Sequence, residues 1–400
     1  MGKHGDFYAI DRRTWALVCN RGMNPAVAYN VLAAFSGKDN TNTDASTNAV
    51  EKYTGISRSR ASAAIEDLVA SGFVKRTKVG TRPHHELVSY AELPGVKLYD
   101  VTRLETWEQR LVNYVADGGH PTKPQQNRVD KLVDLGVLQK SDGRYIVRPP
   151  PDPKPDLIWL PNDLVTGTPK RETSPVERVR QTDDVLCLRL LVDLYHAQNL
   201  TDDGGISRGV IFKKYERTKV AEVSTFAVWS FKGKENEPTV WSHCEIASPH
   251  VVPKKDGQSD FSGFWTRLRV LEETGLIEWV RYLAESDKPT AELVHPMGMI
   301  TKPSGTTTPP EETVAPAAYN AATYLLGRIN QSQPADSLWL VPALRHQANV
   351  TMVGVARLRY RPRTANASRW YAELTAGCAY WKEHYDAMAA GDFSRVKATG

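Results

Sequence analysis

The 400-residue sequence contains few cysteines and no long apolar segment. Its four cysteines lie far apart and none belongs to a C-x-x-C pair, which argues against a disulfide framework and against a structural zinc site. No segment approaches the roughly eighteen consecutive apolar residues of a membrane-spanning helix, and the first residues lack the apolar core of a signal peptide. We therefore expect a cytoplasmic protein that has no membrane partner.

Motifs for catalysis are also missing from the sequence. It has no G-x-x-x-x-G-K-[ST] loop to hold phosphates, no G-x-G-x-x-G and no H-E-x-x-H. It also lacks the H-x-x-R of tyrosine recombinases and the histidine-hydrophobic-histidine pair of rolling-circle nickases. A loose group of metal-ligand residue types has a spacing that fits no recognised site, and we interpret it as ordinary loop: His243, Cys244, Glu245 and His250. The sequence thus predicts no enzyme, no metal and no cofactor.

Charge is balanced over most of the chain but not at its C-terminal end. Residues 321–400 hold ten Lys and Arg against five Asp and Glu, whereas residues 1–320 hold equal numbers of each sign. A basic segment behind a neutral body is typical of proteins that bind a polyanion, such as nucleic acid or a membrane surface. A basic face that serves only solubility is the alternative on charge alone.

One short phrase occurs three times, in residues 68–75, 132–139 and 271–278. Its pattern is L-x-x-x-G followed by two apolar residues and a polar one. The glycine supplies the left-handed residue that ends a helix, and the apolar pair then opens a strand that covers the buried face of the helix. Each copy therefore predicts a helix that ends in the phrase and continues into a two-stranded hairpin.

The first copy is the most complete. Helical spacing of apolar residues predicts a helix over 25–35, a short helix over 47–53, and a third over 58–71 with Ser57 as its N-cap. The third helix is expected to bury Ala61, Ile65, Leu68 and Val69. Cations are concentrated at its first turn and in the following hairpin. We expect these cations, together with two serines of the first turn, to contact DNA: Ser57, Arg58, Ser59, Arg60, Lys75, Arg76, Lys78 and Arg82.

This region of about seventy residues resembles the winged helix-turn-helix superfamily, because helix, turn, second helix and charged hairpin follow in that order. The resemblance implies double-stranded DNA binding, with the first turn of the third helix in the major groove and the hairpin against phosphates. A winged helix that contacts only protein is the alternative. A homodimer is left open.

The other two copies depart from this pattern. In the second, no room remains for a middle helix between the predicted helices at 102–116 and 125–135. Its candidate DNA contacts are Lys123, Gln125, Gln126 and Arg128, with packing against the first copy as the alternative. The third copy is expected to add helices at 183–199, 207–215 and 261–274, an insertion between the last two, and a hairpin at 277–294.

Arginine alternates with other residues from Arg357 to Arg363. As a strand, this segment would place four arginines on one face, where they repel one another unless an anion neutralises them. We therefore expect phosphate contacts from Arg357, Arg359, Arg361 and Arg363.

The expected fold class is mainly α with β-hairpin wings (α+β), in tandem winged-helix units followed by a basic helical domain. Proline-rich stretches at 149–155 and 302–318 mark linkers. The predicted units are a winged helix at 1–98, an abbreviated one at 99–148, a linker with a short strand at 149–182, a winged-helix-like domain with an insertion at 183–301, a linker at 302–318 and the C-terminal domain at 319–400.

Tandem units of this kind are similar in architecture to replication initiators and regulatory proteins of plasmids and phages. The hypothesis from sequence is a sequence-specific double-stranded-DNA-binding protein that acts as a replication initiator or a transcriptional regulator of a bacterial mobile element. Two other classes remain open: an interaction scaffold whose winged helices bind protein, and a DNA-processing nuclease whose site has no recognised motif.

Overall fold

The computed structural model shows two compact units, which are described separately. The first unit comprises Ala9–Leu157, and the second comprises Met1–Tyr8 together with Ile158–Gly400. The residues described here are 6–78, 83–94, 104–135, 137–141, 144–147, 155–168, 173–233, 239–240, 245–254, 258–300, 309–332, 339–345, 350–361 and 364–394.

Short helices and short strands alternate along the first unit. The helices are α1 (Arg12–Cys19), α2 (Met23–Ala34), α3 (Thr47–Thr54), α4 (Arg58–Ala70), α5 (Thr106–Ala116) and α6 (Lys123–Asp134). The strands are β1 (Phe7–Asp11), which leads into the unit, β2 (Asn42–Thr43), β3 (Val74–Lys78), β4 (His84–Leu87), β5 (Leu138–Ser141) and β6 (Arg144–Val147).

Helix α4 packs against α2 and α3 through one apolar stripe. The stripe consists of Ala61, Ala64, Ile65 and Leu68, which recur at helical spacing and are all buried. Three of the four residues expected in it are confirmed. Val69 is only half-buried, and Ala64 takes the place predicted for it.

The repeated phrase ends a helix in all three copies, as predicted. In the first, Gly72 has φ +78° and the amide of Phe73 donates to Leu68 O at 2.9 Å. The corresponding bonds join Val137 N to Leu132 O at 2.8 Å and Leu276 N to Leu271 O at 2.9 Å. This six-to-one bond satisfies carbonyls at the helix end and turns the chain into the following strand. In the first and third copies it spans a left-handed glycine, Gly72 and Gly275.

Two small sheets follow these helix ends in the first unit. After α4 the strands pair in the order β2-β4-β3, and after α6 the hairpin β5–β6 pairs Leu138 with Val147 and Ser141 with Arg144. Residues 104–147 enclose an apolar cluster of their own, built around Leu111, Val129 and Leu132. As predicted, α6 follows α5 after a short loop with no middle helix.

The second unit combines helices with a large β-sheet. Its helices are α7 (Asp163–Thr166), α8 (Pro175–Arg180), α9 (Val185–His196), α10 (Leu200–Asp203), α11 (Ser262–Glu273), α12 (Val314–Gly327) and α13 (Ala365–Ala389). Its strands are β7 (Leu157–Pro161), β8 (Gln198–Asn199), β9 (Gly205–Ile206), β10 (Ile211–Val223), β11 (Phe226–Gly233), β12 (Thr239–Val240), β13 (Val252–Pro253), β14 (Ser259–Asp260), β15 (Ile277–Ala284), β16 (Leu293–Met299), β17 (Trp339–Leu344) and β18 (Thr351–Leu358).

Seven of these strands form one curled antiparallel sheet. The order is β16-β15-β18-β10-β11-β17, and β12 pairs with β10. Helices α12 and α13 contribute to an apolar cluster with strands of this sheet, in which Val228, Phe231 and Met352 meet Ala318 and Leu325. The fold is therefore α+β, as expected, but the large sheet was not predicted.

The sheet corrects three expectations about residues 183–400. The segment 207–215 was expected to be helical, but Ile211 begins the thirteen-residue strand β10. The predicted hairpin at 277–294 is formed by two strands of the large sheet, β15 and β16, rather than an isolated wing. The C-terminal segment is not a separate helical domain, because β17 and β18 pair with β11, β10 and β15.

The second predicted linker is only partly described. Residues 301–308 lie outside the described residues, and Pro310–Thr313 forms a 3-10 turn that leads directly into α12. Most of the first proline-rich stretch, 149–155, also lies outside the described residues.

Candidate nucleic-acid interface

The first turn of α4 presents four consecutive exposed residues, Ser57, Arg58, Ser59 and Arg60. Ser57 stands in the N-cap position with an extended backbone, φ −63° and ψ 153°. Its hydroxyl makes no capping bond and instead lies 3.2 Å from Ser59 Oγ. The start of the helix is confirmed where the sequence placed it. Its first amides lack the expected capping hydroxyl.

Arg58 and Arg60 carry the uncompensated charge of this turn. Across the described residues, neither guanidinium has an ion pair or a hydrogen bond to a side chain. The helix N-terminus adds the positive end of its dipole and amides that have no partner within the helix. These features together make the first turn of α4 a place where an anion is favoured.

The acidic end of α4 is neutralised by two arginines. Arg76 Nη2 lies 2.6 Å from Glu66 Oε1, and Arg21 Nη2 lies 2.5 Å from Asp67 Oδ1. Arg76 was expected to contact DNA from the hairpin, but its guanidinium points back to α4. Its pairing removes a negative charge that would otherwise repel a phosphate near the helix.

Only some of the cations predicted for the β3–β4 hairpin belong to the described residues. Lys75 is exposed and lies 3.7 Å from both Glu86 Oε1 and Glu92 Oε2. The backbone of Lys78 belongs to β3 and pairs with His84, while its side chain and the whole of Arg82 lie outside the described residues. Exposed ion pairs of this length are weak, so Lys75 stays available to a stronger anion.

Two histidines that the sequence analysis passed over lie on β4. His84 Nδ1 is 2.5 Å from Asp44 Oδ1 at the surface. His85 is buried, and its burial, followed by the nearby Arg76 charge, lowers its pKa. The adjacent pair of histidines in the strand was the only sequence signal for them.

In the second copy, three of the four predicted contacts are engaged within the protein. Gln125 accepts from the Thr122 amide at 2.9 Å in a capping box, and Gln126 donates to Asp130 and to the Tyr145 hydroxyl. Arg128 pairs with the buried Glu108. Lys123 is exposed. These side chains stabilise the unit, and only Lys123 is presented in the way that the DNA hypothesis requires.

The predicted arginine face at 357–363 is not formed. Strand β18 ends at Leu358, and Arg357 lies on it between β15 and β10, with a side chain only 3% exposed. Its Nη1 is 2.7 Å from Glu311 Oε1 and its Nη2 donates to the Tyr282 hydroxyl at 2.9 Å. Arg357 is therefore a buried structural residue and not a phosphate contact, because the centre of the sheet excludes a polyanion.

Arg359 and Arg361 lie beyond the end of β18 and are partly exposed, while Arg363 lies outside the described residues. Both side chains rest on aromatic rings. The Arg359 guanidinium carbon is 6.0 Å from the Tyr360 ring centre, and that of Arg361 is 5.4 Å from the Trp370 ring centre.

Two kinds of site are absent from the described part of the chain. It holds no group of three or more His, Cys, Asp or Glu residues that could bind a metal. None of its helices combines the length and apolar composition needed to cross a membrane. Of the loose ligand-like group, Glu245 and His250 are described, whereas His243 and Cys244 are not.

Comparison with known proteins adds no assignment, since no family model, no curated protein and no solved structure matches this chain.

Proposed function

We propose that this chain is a double-stranded-DNA-binding protein whose first unit contacts the duplex through the first turn of α4 and the β3–β4 hairpin. The order of α2, β2, α3, α4 and the hairpin is typical of a winged helix-turn-helix. The observation that carries the proposal is that two guanidinium groups, Arg58 and Arg60, stand at an exposed helix N-terminus without an ion-pair partner among the described residues.

The distribution of ion pairs supports a surface directed at a polyanion. The carboxylates of Glu66 and Asp67 are each bound by an arginine, so they contribute little negative potential. Among the residues that the structure describes, the cations of the first turn have no such partners. A duplex that approaches α4 end-on meets positive charge first and neutralised acids further along the helix.

The contacts divide into two kinds by position. Residues at the start of α4 are suited to base edges in the major groove, where an arginine can form a bidentate pair with guanine. Lys75 and Lys78 lie on β3 and are suited to phosphates, which fix register without reading sequence. Arg82, which lies outside the described residues, is proposed as a phosphate contact from the sequence alone. Ser57 and Ser59 supply hydroxyls that can bond to either.

The proposed DNA binding serves replication initiation or transcriptional regulation. Replication initiation and transcriptional regulation on a plasmid or phage genome use the same duplex contacts. Sequencing the DNA that copurifies with the protein distinguishes the two, because an origin and a promoter differ in position relative to genes.

Binding of a random-sequence duplex of about thirty base pairs, measured by fluorescence anisotropy at several salt concentrations, tests the proposal. We expect binding that weakens steeply with salt, and a loss of affinity of at least about tenfold in Arg58→Ala/Arg60→Ala. The matched control is Arg110→Ala, which removes an exposed arginine from α5 of the same unit.

Equal affinity of the double variant and the control would contradict the role of α4. Salt-independent capture of a protein without duplex binding would favour the scaffold class, and Mg²⁺-dependent nicking of plasmid DNA would favour the nuclease class.

A further inference from the structure

Two arginines of the second unit converge at the C-terminal end of α11. One is Arg178 on α8 and the other is Arg359 just after β18. Gly275, which ends α11 with φ +69°, lies between them. A Cβ atom placed on this glycine would be 3.3 Å from Arg359 Nη1 and 4.0 Å from Arg178 Nη1. Both guanidinium groups therefore approach the same point, close enough for one tetrahedral anion to contact both.

The cluster is held in place by bonds that leave its charge unbalanced. Arg178 donates to Thr274 O at 2.6 Å and to the Tyr360 hydroxyl at 2.5 Å. The main chain of Arg359 is fixed by a hydrogen bond that its amide donates to Leu276 O at 3.0 Å. Its guanidinium, in contrast, has no hydrogen bond or ion pair among the described residues.

Tyr360 serves as the common platform of the two arginines. Its ring centre lies 5.4 Å from the guanidinium carbon of Arg178 and 6.0 Å from that of Arg359. Its carbonyl accepts from the buried Tyr195 hydroxyl at 2.5 Å, which anchors the segment to α9. A preorganised ring of this kind lowers the entropy that binding would otherwise cost.

Carboxylates do not compensate these charges. Within the described part of the chain, neither Arg178 nor Arg359 has an ion-pair partner. Like charges gathered in a partly dehydrated site repel one another unless an anion joins them.

We propose that Arg359, together with Arg178, forms a phosphoryl-binding site in the second unit. Arg359 supplies free donors in a planar fork that matches phosphate oxygens. Arg178 positions Tyr360 and adds charge. The ligand is a phosphoryl group, either of a free phosphorylated compound or of a nucleic-acid backbone.

Isothermal titration calorimetry on the full-length chain tests this site, with tripolyphosphate as the free-phosphoryl probe and a twelve-base-pair duplex as the backbone probe. The Arg58→Ala/Arg60→Ala background removes the two arginines that carry the DNA proposal for the first unit, and the change caused by Arg359→Gln in that background reports on the second unit alone, so the two proposals can fail independently. We expect at least one probe to bind, and Arg359→Gln to weaken it by about tenfold, as for loss of one charge-assisted pair. The probe that binds identifies the source of the phosphoryl group.

Arg369→Gln is the matched control, because it removes one arginine charge from the exposed surface of α13. The control should bind the probe within about twofold of the background protein. Arg359→Lys, which keeps the charge but not the fork, should recover part of the affinity. Absence of binding by both probes at millimolar concentration, or equal losses in Arg359→Gln and Arg369→Gln, would overturn the proposal.

Discussion

Arg357 and Glu311 form a buried ion pair, with 2.7 Å between Nη1 and Oε1 and only 3% of each side chain exposed. The same guanidinium donates from Nε to Gly204 O at 2.9 Å. It thereby joins β18 to the 3-10 turn before α12 and to the loop that follows α10. One of the four arginines that the sequence assigned to phosphate contacts therefore connects distant segments of the second unit.

Removing one partner of this pair is expected to destabilise the second unit strongly. Arg357→Met leaves the Glu311 carboxylate buried without its counter-charge, and the expected loss is about 3–5 kcal/mol in the free energy of unfolding. Arg357→Met/Glu311→Leu should recover most of the loss, because no charge is then left unpaired. Urea unfolding followed by circular dichroism measures both. A double variant as unstable as the single one would contradict this account of the pair.

Stability of the second unit should fall as the pH falls, because of His295. Burial, and to a lesser extent the charge of His384, lowers the pKa of His295 from 6.5 to about 4. The unfolded chain therefore takes up the proton first, and the stabilisation of the folded state is lost between pH 6.5 and about 4. The full effect is on the order of 3 kcal/mol.

His295→Gln provides the test of this pH dependence. His295 Nδ1 donates to Pro296 O at 3.0 Å and Nε2 accepts from the Tyr385 hydroxyl at 3.0 Å, and glutamine keeps one donor and one acceptor without titrating. The unfolding midpoint of the variant should change less between pH 7 and 5 than that of the parent. His196→Gln, at an exposed position of the same unit, should leave the dependence as it is.

A side chain at Gly72 should lower the stability of the first unit. Its φ of +78° is strained for any other residue, and a Cβ there would lie 2.5 Å from the Cγ of Pro94. Gly72→Ala is expected to destabilise the first unit by at least about 1–2 kcal/mol. The neighbouring Ser71→Ala, at an αR position, should change stability by less than about 0.5 kcal/mol. Thermal unfolding of the two variants should therefore differ by several degrees.

Arg60 and Lys78 should differ in how they affect DNA specificity. A residue that reads a base edge loses affinity for a preferred site far more than for random DNA, whereas a phosphate contact loses both alike. We expect the first result for Arg60→Ala and the second for Lys78→Ala, which should also lower the salt slope by about 0.9. Selection from a randomised duplex library supplies the preferred site. Equal loss on both DNAs for Arg60→Ala would remove Arg60 from the base-reading residues.

Local patterns in the sequence predicted local structure well. The phrase at 68–75, 132–139 and 271–278 determined where helices end, because a left-handed residue followed by an apolar pair acts within a few residues of itself. Likewise Ser57 and the arginines after it were placed at an exposed helix start, since helical spacing alone decides which face is buried. The exposed first turn of α4 could be expected from these residues without knowledge of the rest of the chain.

Tertiary structure alone decided how the second unit is assembled and what its arginines do. The seven-stranded sheet joins residues as far apart as Phe212 and Val355, and nothing in a local pattern specifies such a pairing. Arg357 and Arg359 are two residues apart in the sequence, yet one is buried against Glu311 and the other lies beside Tyr360 without an ion-pair partner among the described residues. Their charges are identical in the sequence. Because β18 ends between them, Arg357 is a structural residue and Arg359 is a candidate ligand-binding residue. Distant segments of the chain decide how far each arginine is buried and which counter-charge it meets.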